Sequence, residues 1–180
     1  MILNLSIALA KKLKINPPKQ PFDNLNVDQE WYGHLFYASK KPYILTFEGR
    51  SKLTAIIEAK GLKSAEHYAQ AFLIEIKDII RSYKLEPQLF KVVNSFADGL
   101  VFQRTTNKST IAFLNHMVYH AKYNLVENNS STLETAYKLN EMPINSNGFY
   151  FPIEMFAEKK MKMKYITTVQ NNLIYNLNNI

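Results

Sequence analysis

Between Trp31 and Ala59 the chain alternates aromatic and β-branched runs with tight turns. WYGHLFYAS, PYILTFE and KLTAIIEA each have strand length, and Lys40-Lys41-Pro42 and Gly49-Arg50-Ser51 separate them. Connections this short suit hairpins, so three successive antiparallel strands are predicted. The middle run is apolar at Tyr43, Ile44, Leu45 and Phe47. A strand with apolar residues on both sides is expected to be central and covered on both faces.

Helical periodicity surrounds this meander. Ser64 offers a cap, and Tyr68, Phe72, Ile76, Ile79 and Tyr83 form one stripe of a helix over 65–83. Glu86-Pro87 opens a shorter helix with Leu89, Phe90 and Val93 inward. Upstream, Met1–Leu5 has strand character, and Ser6 caps a helix over 7–14 with Ile7, Ala10 and Leu13 on one face. Pro17, Pro18 and Pro21 mark Asn16 to Asp28 as a surface linker.

Downstream, Asp98-Gly99 turns into LVFQR, a fourth strand, and Thr105-Thr106 leads into a helix over 108–126. Its stripe is Ile111, Leu114, Val118, Ala121 and Leu125. Ser131-Thr-Leu-Glu134 is a capping box that starts a helix to about Asn140. Pro143 to Gly148 reads as loop. Phe149-Tyr150-Phe151-Pro152 reads as an aromatic plug before a helix reaching about Lys164. The expected fold is α+β: a small, mainly antiparallel sheet, a meander plus a fourth strand, packed by several helices. A single domain over 1–164 is expected, with 165–180 as a tail that packs on it or on a partner, including a second copy.

Composition sets the function classes. The hydrophobic fraction of 47% supports a real core, and the absence of cysteine excludes disulfides and thiolate metal sites. No apolar run reaches the roughly 18 residues of a membrane span. The apolar start precedes Lys11, Lys12 and Lys14, the reverse of a secretory signal. A cytoplasmic protein without membrane attachment is the expectation.

The net charge is +7, and the two ends carry it. Residues 1–22 and 159–180 each hold four lysines and no acid, whereas the span between has 15 acids against 14 bases. Such ends attract phosphate backbones or acidic surfaces. With 19 Lys and only 3 Arg the alternative is a solvated lysine surface.

The strand-to-helix corner at 104–109 holds the densest polar chemistry. Arg104 ends a strand, and Lys108 and Ser109 fall in the first turn of a helix. Free N–H groups and the helix dipole favour an anion there, and Thr105 and Thr106 add hydroxyls. The plainer reading makes Thr106 or Asn107 an N-cap and leaves Arg104 and Lys108 solvated. Asn115, on the same helix, suits a ligand contact or a structural hydrogen bond.

His116 and His120, four residues apart, share a helix face. They suit core-edge hydrogen bonding, or general acid/base work in a phosphodiester-cleaving enzyme of a toxin or defence system. The run HMVYH lacks the glutamate of metalloprotease helices, so no metal is expected. No phosphate-binding or dinucleotide glycine pattern is present, so no cofactor is expected either. Trp31, Tyr32, Tyr37 and Tyr43 beside Lys40 and Lys41 suit base stacking if exposed and core packing if not.

The segments MILNLSIALAKKLK, WYGHLF, PYILTFEG, FQRTTNKSTIAFLN and FYFPIE, in this order, resemble a bacterial family of unknown function, DUF6933, over roughly Met1 to Glu154. Arg104-Thr105 stands at the family's lysine-threonine, Lys108-Ser109 at its arginine-serine, and Asn115 at its asparagine. The chain departs at Ala112, Phe113 and His116, where the family has glycine, serine and an acid. The resemblance bears on the fold and implies no activity. The leading expectation is a non-catalytic module that binds nucleic acid or an acidic protein through Arg104, Thr105, Thr106, Lys108, Ser109 and Asn115.

Overall fold

A computed structural model describes residues 1–18, 29–145 and 149–157. In chain order the elements are β1 (Ile2–Leu5), α1 (Ile7–Lys12), β2 (Glu30–Ala38), β3 (Lys41–Glu48), β4 (Thr54–Glu58), α2 (Ala65–Ser82) and α3 (Glu86–Ala97). They continue with β5 (Val101–Arg104), α4 (Lys108–Val126), α5 (Thr132–Asn140), the two-residue strands β6 (Ile144–Asn145) and β7 (Phe149–Tyr150), and α6 (Pro152–Ala157). The fold is α+β.

The five long strands form one sheet in the order β4-β3-β2-β1-β5. The meander supplies its longer, antiparallel half, with Leu35 opposite Ile44 and Leu45 opposite Ile56. β1 lies between β2 and β5 and runs parallel to both. The expected fourth strand therefore does not extend the meander. It returns through α2 and α3, a crossover long enough for parallel pairing, and joins β1. Asn16 to Pro18 lies beside β5, where the Arg104 N–H donates to the Pro18 carbonyl at 3.0 Å. The rest of the linker lies outside the described residues, as do the helix end toward Lys164 and the tail at 165–180.

Side chains alternate along each strand, so the sheet feeds two cores. On one face Leu3, Leu5, Trp31, Ile44 and Ile57 pack with α1, α2, α3 and α6. Trp31 sits there between Phe72 and Phe156, with ring centroids 4.9 and 6.5 Å away. On the other face Phe36, Leu45, Phe47 and Ile56 pack with Leu114, Met117, Val118 and Ala121 of α4 and Leu139 of α5. β3 is covered on both faces, as expected. Burying a side chain of this size contributes roughly 1.5–3 kcal/mol, so tertiary packing rather than helix propensity holds these helices in place.

Local caps agree with the sequence. Ser6, Ser64 and Ser131 accept from backbone N–H groups in the first turns of α1, α2 and α5, and the Ser131–Glu134 capping box is complete. Three stripe residues point outward instead: Ile7, Phe90 and Ile111 are exposed, and Leu9, Val92 and Met117 take the inward places. Gly33 in β2 is fixed by packing: a Cβ there would stand 2.6 Å from the Tyr68 hydroxyl and 2.9 Å from Leu9. That hydroxyl bonds Thr46 Oγ1 at 2.9 Å across the sheet.

α5 closes the β4 edge. The Asn140 carboxamide accepts from the Thr54 N–H at 2.7 Å and donates to the Thr54 carbonyl at 2.9 Å, serving as one residue of an absent strand. At the opposite side of the sheet, the Met1 ammonium donates to the carbonyls of Ser95 and Gly99, both at 3.0 Å. Among the described residues no helix is long and apolar enough to cross a membrane.

Candidate functional site

β1 and β5 are parallel neighbours, and the chain leaves them toward opposite faces. After β1, α1 packs on the face that holds Trp31; after β5, α4 packs on the face that holds Phe47. Strand order reverses there, and in open α/β sheets such a switch point is where a ligand crevice lies, outside the carboxyl ends of the two strands. The residues at that end are Ser6 after β1, and Arg104, Thr105, Thr106 and Asn107 after β5. Topology thus places the corner singled out from the sequence at this switch point.

Arg104 is half-buried, and its guanidinium donates to Asn16 Oδ1 at 3.2 Å. Its Nε is buried without a hydrogen-bond partner among the described residues. Thr105 is 8% exposed; its N–H continues the ladder to the Leu5 carbonyl, and its Oγ1 is buried and, among the described residues, unpartnered. Thr106, Lys108 and Ser109 are exposed.

Asn107 is the N-cap of α4. Its Oδ1 accepts from the Ser109 N–H at 2.9 Å, the Thr110 N–H at 3.3 Å and the Ser109 hydroxyl at 2.7 Å. The expected anion-binding N–H groups of Ser109 and Thr110 are therefore already occupied, and Ser109 is turned inward to the cap. Arg104, Lys108, Thr105 and Thr106 keep donors directed to other uses.

Asn115 is exposed and seven residues beyond Lys108, which at the helical rise is about 10 Å along α4. His116 is about 12 Å along by the same measure. The structure does not bring these residues to the corner. His116 is exposed and His120 half-buried, and their Nε2 atoms stand 3.3 Å apart. The stacking platform is also absent: Trp31 is fully buried, Tyr32 and Tyr43 are half-buried, and only Tyr37 is exposed.

One layer below the corner lies a row of polar residues of which the sequence had singled out only Tyr32, as a stacking candidate. Asn4, Tyr32 and Gln103 stand side by side in register on β1, β2 and β5. Asn4 Nδ2 donates to Glu30 Oε1 at 2.8 Å, and the Tyr32 hydroxyl lies near Glu30 and near Thr110 at the start of α4. Burial, with Glu30 beside it, pushes the Tyr32 hydroxyl well above its ordinary pKa, so it stays protonated and can donate. Gln103 is 5% exposed, and its Nε2 has no hydrogen-bond partner. The available signal was a carboxamide following two apolar residues in each of two short strands, ILNL and VFQR.

Beside this layer the buried Glu48 carboxylate accepts from the N–H groups of Arg50 and Ser51. Lys52 donates to the Gly49 carbonyl, and its ammonium lies 5.1 Å from the Phe47 ring centroid and 5.4 Å from that of Phe113. Desolvation lowers the Lys52 pKa against the opposing pull of Glu48 and Glu30. These contacts are satisfied locally and read as a turn-stabilising cluster.

No curated protein matches the chain. A family profile described as a domain of unknown function, DUF6933, matches residues 2–155, which takes in the whole sheet, the crevice and α4. The chain belongs to the DUF6933 family.

Proposed function

We propose that this protein is a non-catalytic binding module whose crevice at the carboxyl ends of β1 and β5 receives an anionic group, from a nucleic acid or an acidic protein surface. The observation that carries the reading is the set of unspent donors at this corner: among the described residues, Arg104 Nε and Thr105 Oγ1 are buried without partners. Buried donors without partners cost roughly 1–3 kcal/mol each, and an anion accepting from both offsets that cost. Exposed Lys108 at the same corner and the positive end of α4 add attraction. The lysine-rich chain ends, net +7 overall, would raise the encounter rate of an acidic partner. The same reading places the protein in the cytoplasm, where nucleic acids and acidic proteins are at hand.

Fluorescence anisotropy with labelled single- and double-stranded oligonucleotides tests the proposal. Affinity should fall linearly in log–log form with salt, and Lys108→Ala should lower the slope by about one. Arg104→Gln should weaken binding further while the circular dichroism spectrum stays unchanged. Binding that is equal in wild type and the Arg104→Gln/Lys108→Ala double variant would remove the corner from consideration. Binding to polyglutamate but to no oligonucleotide would assign the partner to acidic proteins.

A further inference from the structure

We propose that His116 and His120 form an exposed two-imidazole site for a divalent late transition-metal ion, independent of the crevice. The inward face of α4 is Leu114, Met117, Val118 and Ala121. The two histidines stand on the other side, one turn apart, with Nε2 atoms 3.3 Å from each other. Zinc–imidazole bonds of about 2.0–2.1 Å at a tetrahedral angle subtend a nitrogen–nitrogen distance of about 3.3–3.4 Å. The separation in α4 already matches that chord, so one ion can bridge both rings without a change of backbone.

The alternative, a simple hydrogen bond between neutral rings, is poorly served. At 3.3 Å the contact is longer than a well-formed N–H···N bond. No other hydrogen bond engages either ring among the described residues. Tyr119 packs edge-on against His120, with centroids 5.4 Å apart, and narrows its rotation. The Asn124 carboxamide donates to the His120 carbonyl at 3.0 Å and steadies that turn of the helix.

Among the described residues no third histidine, aspartate or glutamate converges on the pair. Two protein nitrogens leave the remaining positions to water or to a donor from another molecule, the mark of an open site rather than a structural one. Imidazole nitrogens select zinc, nickel and copper over magnesium and calcium, and the usual affinity order places Cu(II) ahead of Ni(II) and Zn(II).

The test is titration of the full chain with Cu(II) and with Zn(II), by calorimetry and by the Cu(II) electron paramagnetic resonance spectrum. The variants are His116→Gln, His120→Gln and the double substitution. The expected result is one ion bound per chain, Cu(II) more tightly than Zn(II), with two nitrogen couplings in the spectrum. Each single variant should weaken binding at least tenfold, and Zn(II) should raise the melting temperature of wild type only. The proposal is overturned if wild type takes up no ion. Uptake in the double variant equal to that of wild type also overturns it, since His34, His67 or the terminal amine would then be the ligand.

Discussion

Replacing Asn140 tests whether a side chain substitutes for a missing strand. Asn140 and Thr54 are both fully buried, and the carboxamide meets both the N–H and the carbonyl of Thr54. Leucine has similar bulk but leaves both backbone groups without partners. At roughly 1–3 kcal/mol per unsatisfied group the loss is about 4 kcal/mol, offset by about 1 kcal/mol of added apolar burial. A net cost of about 3 kcal/mol is large against total stabilities of roughly 5–15 kcal/mol.

Urea unfolding followed by the fluorescence of Trp31, the single tryptophan and fully buried, reports the change. The near-isosteric Asn140→Asp variant adds a sign test. Its carboxyl can donate to the Thr54 carbonyl only when protonated, so its pKa in the folded state should rise above that in the unfolded chain. Stability should then approach wild type at pH 4 and fall as pH rises toward 7. A loss under about 1 kcal/mol for the leucine variant, or an aspartate variant whose loss does not change with pH, would refute the bidentate account.

Four further outcomes are expected. Gly33→Ala should cost roughly 1–3 kcal/mol by overpacking against Tyr68 and Leu9, and Tyr68→Phe should not rescue it fully because Leu9 still obstructs. Glu75, raised to about 7 by desolvation and by Asp78, binds a proton in the folded state that the unfolded chain releases near pH 4.5. Stability should therefore fall as pH rises from about 4.5 to 7; Glu75→Gln should flatten the profile and gain about 1 kcal/mol at neutral pH, a figure discounted for partial exposure. Ser131→Ala should cost about 1 kcal/mol by opening the capping box, read from thermal unfolding. Lys108→Ala should leave the melting temperature within a degree or two of wild type while lowering oligonucleotide affinity, since the side chain is exposed.

The elements that sequence made legible are those whose signals are local. Turn chemistry, alternation and serine caps fixed the meander, α2, α4 and α5, because each depends on neighbours within a few residues. The interior position of β1 was not legible. ILNL is a four-residue run, and its place depends on β2 and β5, whose pairing is a long-range matter. The outward turn of Phe90 and Ile111 has a related cause. Periodicity finds an apolar stripe, but which flank of the stripe meets a neighbour depends on where that neighbour sits.

The corner was visible as an accumulation of polar residues. Its standing as a crevice came only with the knowledge that α1 and α4 leave toward opposite faces. Asn4 and Gln103 were hidden by the short strands β1 and β5 that carry them. The apolar periods on either side made the two carboxamides look like interruptions.

The insertion of β1 between β2 and β5 orders events in time. Its partners lie on both sides in space but on one side in sequence, and the bond from Met1 to Gly99 spans 98 residues. A growing chain can close the meander early, yet β1 keeps one bare edge until β5 has been made. Contacts of such separation slow folding, and an unpaired strand edge invites another chain to dock there. Chains truncated before Val101 should therefore aggregate through β1, whereas chains extended to Arg104 carry the strand that seals it.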